Sequence, residues 1–367
     1  MSEKIRIGFV GVGQIAQNHL KAYQKIEGAE IVAAADINEE QLNKVAEEFE
    51  IADCYSDFHE MLKRDDIDAI DVCLHNNLHM PVTLAALKAG KDVYCEKPMA
   101  GSYIDAKTMY DTAIECNQKL HIQLAQLYSN ETRISKYMID NGRLGKLYHA
   151  RSTGYRRRGR PFVDGYGAPA FVDKKISAGG ALYDMGVYHI SQMLYLLGNP
   201  SVERISGKTY QETALDSGRK ESSGYNVEEL GLGFVRLENN ISLDIIEAWA
   251  VHMDAFEGSS LYGSEGGIRL EPFKFFNTVD DLLNDTVPDA NNLLGRWKSV
   301  LGKDDSFDSS QHHWIAALQG RCELLPTAQI ALNTMLISEG IYMSCEQGCE
   351  IGADDVLKNS ISTAVNI

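Results

Sequence analysis

The chain has 367 residues, 44% of them apolar and 24% charged, with 35 lysines and arginines against 52 aspartates and glutamates, a net charge of −17. That length favours two domains, each with a core of its own. The acidic balance argues against nucleic acid and anionic membranes as partners, because phosphate surfaces call for basic patches. The one basic cluster, Arg156-Arg157-Arg158 with Arg160, is too short to reverse this. It reads either as a solvated loop or as a contact with a polyol or anionic substrate or a neighbouring subunit. Seven scattered cysteines without a CxxC pair fit buried, reduced thiols. No paired Cys/His spacing points to zinc, so no metal is expected. Met1-Ser2-Glu3-Lys4 runs straight into a strand, and no long uncharged apolar run marks a leader or a membrane span. The chain therefore reads as cytoplasmic.

In chain order, Ile5–Val10 is apolar and β-branched and reads as a buried strand, broken at Gly11–Gly13. The spacing over 15–26 predicts a helix. A second apolar run, Ile31–Ala35, ends at Asp36, and a helix follows over 39–49. Ala69–Leu74 is a strand. Val82–Lys88 is a helix closed by Gly90. Val93–Cys95, a helix over 104–117 and a strand over 120–124 complete the alternation. Strands alternating with helices imply right-handed βαβ units and a parallel sheet. Beyond residue 146 the pattern changes. Strand candidates at 148–155, 202–211, 227–237, 241–250 and 256–262 are joined by short turns, which points to a largely antiparallel sheet. A helix over 182–196 precedes most of them. The segment 271–310 has little periodicity and reads as a long surface insertion. An amphipathic helix over 328–347 is expected to pack back on the first domain.

Gly11-Val12-Gly13-Gln14-Ile15-Ala16 is GxGxxA between a strand and a helix. Gly11 permits the tight turn, Gly13 lets a pyrophosphate approach the backbone, and Ala16 keeps helix and strand close. The phosphates then meet the free N–H groups of Gln14, Ile15 and Ala16. Asp36, about twenty residues further on, would accept ribose hydroxyls and repel a 2′-phosphate, which favours NAD over NADP. The plain alternative is a glycine turn in an unrelated α/β fold. The loop holding His75, Asn77 and His79 follows a strand end, where such sheets line their ligand crevice. These three become cofactor candidates, although His79 equally fits a structural bond at a helix start. In Tyr94-Cys95-Glu96-Lys97-Pro98, Glu96 and Pro98 fix a turn, with a cis peptide expected before Pro98. That places Glu96 and Lys97 beside the nicotinamide. Oxidising a carbinol removes a hydride from carbon and a proton from oxygen. A partly desolvated lysine near other charges can have its pKa lowered toward neutrality and carry that proton. Otherwise Lys97 is a surface lysine after a strand.

GxGxxA, Asn77-Leu78-His79, Ala89–Pro98 and Gly179-Gly180-Ala181-Leu182-Tyr183-Asp184-Met185-Gly186, in that order, resemble the Gfo/Idh/MocA oxidoreductases. The resemblance runs from about residue 5 to about 200, and His312–Gly320 is also similar. It implies an N-terminal Rossmann fold over 1–125 and a C-terminal α/β domain over 126–367 on an open, mostly antiparallel sheet. It further implies sugar or polyol substrates and a homodimer or homotetramer through that sheet. Lys97 matches the family's catalytic lysine. Members commonly carry Asp then His four residues apart on one helix; this chain has Asp184 and then Tyr188, with His189 one residue later. Tyr188 takes the role by similarity to dihydrodiol dehydrogenases, and His189 stays an alternative. Asp184 would orient substrate and tune Lys97, or merely stabilise a helix start. Ser191 stands where members often have a carboxylate. Gln126, Tyr155 and Arg157, with Arg158, Tyr166 and His313, are candidate substrate contacts, each of which also fits a structural role. The expected activity is NAD-dependent oxidation of a sugar or polyol carbinol. A glycoside-cleaving enzyme using transient oxidation, and a non-catalytic NAD-responsive regulator, are the alternatives.

Overall fold

The computed structural model describes residues 4–367; Met1–Glu3, part of the stretch read for a leader, lie outside them. Six parallel strands form the first sheet: β1 (Ile5–Val10), β2 (Ala29–Ala35), β3 (Asp53–Tyr55), β4 (Ala69–Val72), β5 (Asp92–Cys95) and β6 (Leu120–Ile122), in the order β3-β2-β1-β4-β5-β6. The register decides where the site falls. Val10 pairs with both Ala35 and Val72, and Val72 pairs with Cys95. Gly11, Asp36, Cys73 and Glu96 are therefore level at one edge, the carboxyl ends of the strands, where open α/β sheets bind ligands. β3 has no apolar signature in the sequence, because this short edge strand is mostly exposed.

The second sheet has nine strands in the order β14-β13-β12-β11-β7-β10-β9-β8-β15. They are β7 (Leu147–Tyr155), β8 (Val202–Tyr210), β9 (Leu230–Leu237), β10 (Ile241–Ala248), β11 (Ser260–Gly263), β12 (Gly266–Arg269), β13 (Lys274–Val279), β14 (Leu282–Thr286) and β15 (Ile351–Gly352). Every pair is antiparallel except β7 with β10. The segment 271–310 is a correction to the expected irregular insertion. It contains the β13–β14 hairpin, turned by Asp280 and Asp281 at φ 51° and 64°, and then a helix at Ala290–Val300. Consecutive positive φ values are what a two-residue hairpin turn needs. The strands escape sequence reading because neither face is deeply buried, so no apolar alternation develops.

Helix Asn76–Lys88 starts six residues earlier than the expected Val82, with Pro81 inside it. Pro81 has no N–H to give to the Asn77 carbonyl. That carbonyl accepts the N–H of Val365 from the C-terminal segment instead, at 3.2 Å. The helix expected over 182–196 opens with one wide π turn, Leu182–Gly186, and continues as Val187–Leu197. Its start is held by Glu228, whose carboxylate accepts the N–H groups of Gly180 at 2.8 Å and Leu182 at 3.0 Å. A Cβ on Gly180 would lie 2.0 Å from the Glu228 carbonyl, which is why glycine stands there. Helix Thr327–Gln347 packs on β8 and helix Val187–Leu197, and also on β6 and helix Tyr103–Cys116 of the first sheet's layer. It ties the two sheets into one body. All seven cysteines are free, but only Cys73 and Cys95 are buried, against the expectation of uniformly buried thiols. Among the described residues, no helix is long and apolar enough to cross a membrane.

Candidate active site

The Gly11–Ala16 loop forms a cradle made of backbone. Gly11 stands at φ 88°, and a Cβ there would lie 2.4 Å from the Cys73 carbonyl, so only glycine fits. Gly13 has nothing within 4 Å of its Cβ position and opens to solvent. The helix beginning at Gln14 has no side-chain cap, and Ile15 beside it is 40% exposed. Uncapped amides at the positive end of a helix attract an anion. Asp36 closes β2 with Oδ2 accepting from the Val12 N–H at 2.9 Å and Oδ1 accepting from Asn38 N–H at 2.8 Å. It therefore braces the loop from a half-buried position and keeps acceptor capacity on both oxygens. Free amides, open space at Gly13 and a carboxylate at the far end fit the diphosphate and ribose of a dinucleotide.

The same crevice deepens into a cavity of about 320 Å³ between the two sheets' layers. Gln14, Ile15 and His75 line its cofactor side; Lys97, Asp184 and Tyr188 line its far side. The Lys97–Pro98 bond is cis. Lys97 Nζ donates to Asp184 Oδ1 at 3.0 Å and to the Asp184 carbonyl at 3.1 Å, and lies 4.6 Å from the centre of the Tyr188 ring. Asp184 is shared three ways: Trp249 Nε1 donates to Oδ2 at 2.9 Å, and Arg156 Nη1 lies 3.5 Å from the same oxygen.

Protonation departs from the sequence expectation. Burial alone would depress the Lys97 ammonium, but the adjacent Asp184 carboxylate, with Tyr188 and Glu96, outweighs it and holds the pKa above the ordinary lysine value. Lys97 is thus charged at neutral pH, not lowered toward neutrality. Burial disfavours the Asp184 anion, yet Lys97, Arg156 and Trp249 hold its pKa below the usual carboxylate range. Burial raises the Tyr188 phenol, against the pull of Lys97.

Several expected contacts lie elsewhere. His189 points away from Lys97. Its Nδ1 is 3.0 Å from Glu247, which is fully buried and also accepts Ser152 Oγ at 3.0 Å. It lines a separate polar cavity together with Gln126. One residue along a helix is a turn of about 100°, which carries His189 off the Tyr188 face. His79 is buried with its ring nitrogens 2.8 Å from the Pro98 carbonyl and 3.0 Å from the Leu74 carbonyl, and so shapes the Lys97 turn from behind. Asn77 contributes its carbonyl to the C-terminal segment and lies off the cavity, whereas Asn76, with Nδ2 donating to Ser177 at 2.7 Å, lines it. Glu96 is buried and touches the crevice at its floor.

Tyr155 bonds the Met253 carbonyl, away from Lys97. Arg157 and Arg158 lie past the end of β7 and are exposed. Their neighbour Arg156 is the arginine that enters, and it also bonds Tyr166, which lines the cavity. Arg160 is fully buried between Asp164 and Glu229. His313 is structural, accepting from the Leu325 N–H at 2.9 Å. Arg156 was not singled out of its run, because only the loop's fold decides which arginine turns inward, and Trp249 was missed because it reaches Asp184 only through long-range packing. His19, beneath Glu96, was missed too, although a histidine on the apolar face of a helix and an aspartate, Asp71, within an apolar strand call for each other.

Residues 5–124 match the model of an oxidoreductase family with an NAD-binding Rossmann fold, and residues 133–269 match the GFO/IDH/MocA C-terminal domain. Over 358 residues the chain is 25% identical to the D-glucoside 3-dehydrogenase of Escherichia coli, covering 95% of this chain and 98% of that protein. It is 36% identical to an inositol 2-dehydrogenase of Azotobacter vinelandii over 145 residues, which is 39% of this chain and 43% of that one. A levoglucosan dehydrogenase solved with NADH and levoglucosan superposes with a TM-score of 0.76 at 19% identity, over 96% of this chain and 100% of the other. That last likeness is one of fold.

Proposed function

Because the chain belongs to the Gfo/Idh/MocA oxidoreductases, we propose that it oxidises one carbinol of a sugar, polyol or sugar derivative with NAD. The observation that carries this reading is the Lys97–Asp184 pair, 3.0 Å apart, in a cavity whose other wall is the uncapped glycine loop. NAD, when bound, supplies the hydride acceptor. Gln14, Ile15 and Ala16 would hold its diphosphate with their amides, Asp36 its adenosine ribose, and His75 the nicotinamide end.

In its neutral amine form Lys97 Nζ would take up the hydroxyl proton, becoming the ammonium, as the carbinol carbon gives up its hydride. In the reverse direction the ammonium returns that proton to the carbonyl oxygen. Asp184, fixed by Trp249 and Arg156, aims Lys97 and the substrate hydroxyl at each other. Tyr188 stacks its ring under the ammonium and offers its hydroxyl to the same oxygen. The aromatic and polar wall of Trp249, Tyr166, Phe171 and Arg156 suits a hydroxyl-rich ring, whose carbons stack and whose oxygens bond. The D-glucoside 3-dehydrogenase is consistent with that class. A division at residues 125 and 126, a homo-oligomer formed through the second sheet, and a cytoplasmic site of action belong to the same reading.

A panel of monosaccharides, inositols and glycosides is offered with NAD and with NADP, reading the absorbance of the reduced cofactor. Stoichiometric NADH with at least one carbinol is expected. Cleaved glycoside without net NADH would replace this reading with the eliminating one.

A further inference from the structure

His19 sits on the buried face of helix Gln14–Tyr23 at 1% exposure, below the glycine loop and out of reach of the cavity. Its Nδ1 lies 3.0 Å from Asp71 Oδ2, and its Nε2 lies 2.8 Å from Glu96 Oε1. Asp71 is 0% and Glu96 5% exposed. The second oxygen of Glu96 accepts the Lys97 backbone N–H at 3.0 Å. An unbroken chain of contacts thus runs from Asp71 through His19 and Glu96 to Lys97, and on to Asp184. The other titratable groups facing His19 are Cys73, whose Sγ lies 3.4 Å from Nδ1 and 3.1 Å from Asp71 Oδ1, and Tyr94 of β5, with its ring edge-on at 5.5 Å. Tyr23 of the same helix packs on Tyr94.

A neutral imidazole carries one N–H. It would aim a bare lone pair at one of the two carboxylates, at hydrogen-bond distance and without water. A doubly protonated ring gives each contact its proton and offsets one of two buried anions, whose isolation in an apolar interior is otherwise very costly. We propose that His19 is a permanently charged imidazolium that acts as a positioning residue for Lys97, by holding Glu96 ionised and aimed at the Lys97 turn. Burial opposes the charge on His19, but Cys73 and Asp71 raise its pKa well above the ordinary value. Burial likewise opposes the Glu96 anion, and His19 holds it below its usual range. Without His19 one of the two carboxyls must take up a proton. A neutral Glu96 removes a negative neighbour from Lys97, which then loses its own proton at lower pH.

The consequence for turnover rests on the proposed role of Lys97, so the test has two arms. In the first, 15N NMR of the full-length protein without substrate follows the ring nitrogens of His19, assigned by the signals lost in His19→Gln. Both nitrogens are expected to remain protonated at pH 8. A neutral ring at pH 7 overturns the proposal. If His19→Gln does not fold, Glu96→Gln identifies the ring instead, because its pKa is then expected to fall; an unchanged titration overturns the proposal. In the second arm, the pH profile of carbinol oxidation is measured for both variants and for the double variant. Each single change is expected to move the acidic limb to lower pH by the same amount, and the double change to move it no further. A His19→Gln limb that coincides with the wild type, or shifts that add, overturn the coupling to Lys97. A protein that turns over no carbinol at all would fail the proposed activity while the NMR arm still decides His19.

Discussion

The two halves of the site are built from different materials. The half contributed by the first sheet is backbone: a glycine turn, an uncapped helix start and the cis turn after β5. The half contributed by the second is side chain: Asp184, Tyr188, Trp249 and Arg156, held by one another. A backbone site depends on residues being small, so its failures are steric. A side-chain site depends on charge and hydrogen bonds, so its failures show in pH dependence. Lys97 stands where the two meet.

Breaking the backbone half should show in folding and in cofactor binding, and two glycines separate the two. Gly11→Ala forces a side chain to φ 88° and into the Cys73 carbonyl. The backbone alone costs about 1–2 kcal/mol, and the clash adds to it, so thermal melting should show a marked loss of stability. Gly13→Val meets open space, so its melting temperature should match the wild type, while NAD affinity by calorimetry falls roughly ten- to hundredfold from crowding against the diphosphate. Equal affinity in Gly13→Val would place the cofactor elsewhere.

Within the side-chain half, Asp184→Asn removes the carboxylate that raises Lys97. Burial then dominates and the lysine pKa falls. Oxidation needs neutral lysine, so its rate climbs with pH in the wild type, and the climb should move down by about 1–3 pH units in the variant. An unmoved limb would remove Lys97 from the proton step.

The neighbours Tyr188 and His189 sharpen the contrast further. Tyr188→Phe keeps the ring under the ammonium and loses the hydroxyl, so kcat should drop about ten- to a hundredfold, the worth of one hydrogen bond to a charged group. His189→Ala leaves the buried Glu247 with Ser152 Oγ but without its histidine partner. It should cost about 1–3 kcal/mol of stability in denaturant titration, with kcat changed less than in Tyr188→Phe. The opposite ranking of the two in kcat would return the relay to His189.

Much of the first half was legible in the sequence because a parallel sheet buried on both faces leaves near-continuous apolar runs, as at Ile31–Ala35 and, interrupted only by Asp71, at Ala69–Val72. The glycine loop, Asp36 and Lys97 follow from their places at strand ends. β3 was not legible, since a three-residue edge strand buries too little to leave a pattern. Pro81 hid the start of its helix because the compensating donor, Val365, is far away in sequence. Asp184 and Tyr188 could be named from a motif, but the π turn beneath them, the choice of Arg156 over Arg157 and the arrival of Trp249 all depend on long-range packing. The charge on Lys97 was misread because burial was expected to win over the charged neighbours, whereas Asp184 at 3.0 Å outweighs it.

The most direct measurement is Lys97→Ala, assayed for NAD affinity and for carbinol oxidation on the same preparation. NAD binding within a few-fold of the wild type and a loss of turnover of about 10²–10⁴-fold are predicted, the range for a principal acid/base group. Undiminished turnover with intact NAD binding would contradict the assignment of Lys97 as the group that carries the proton.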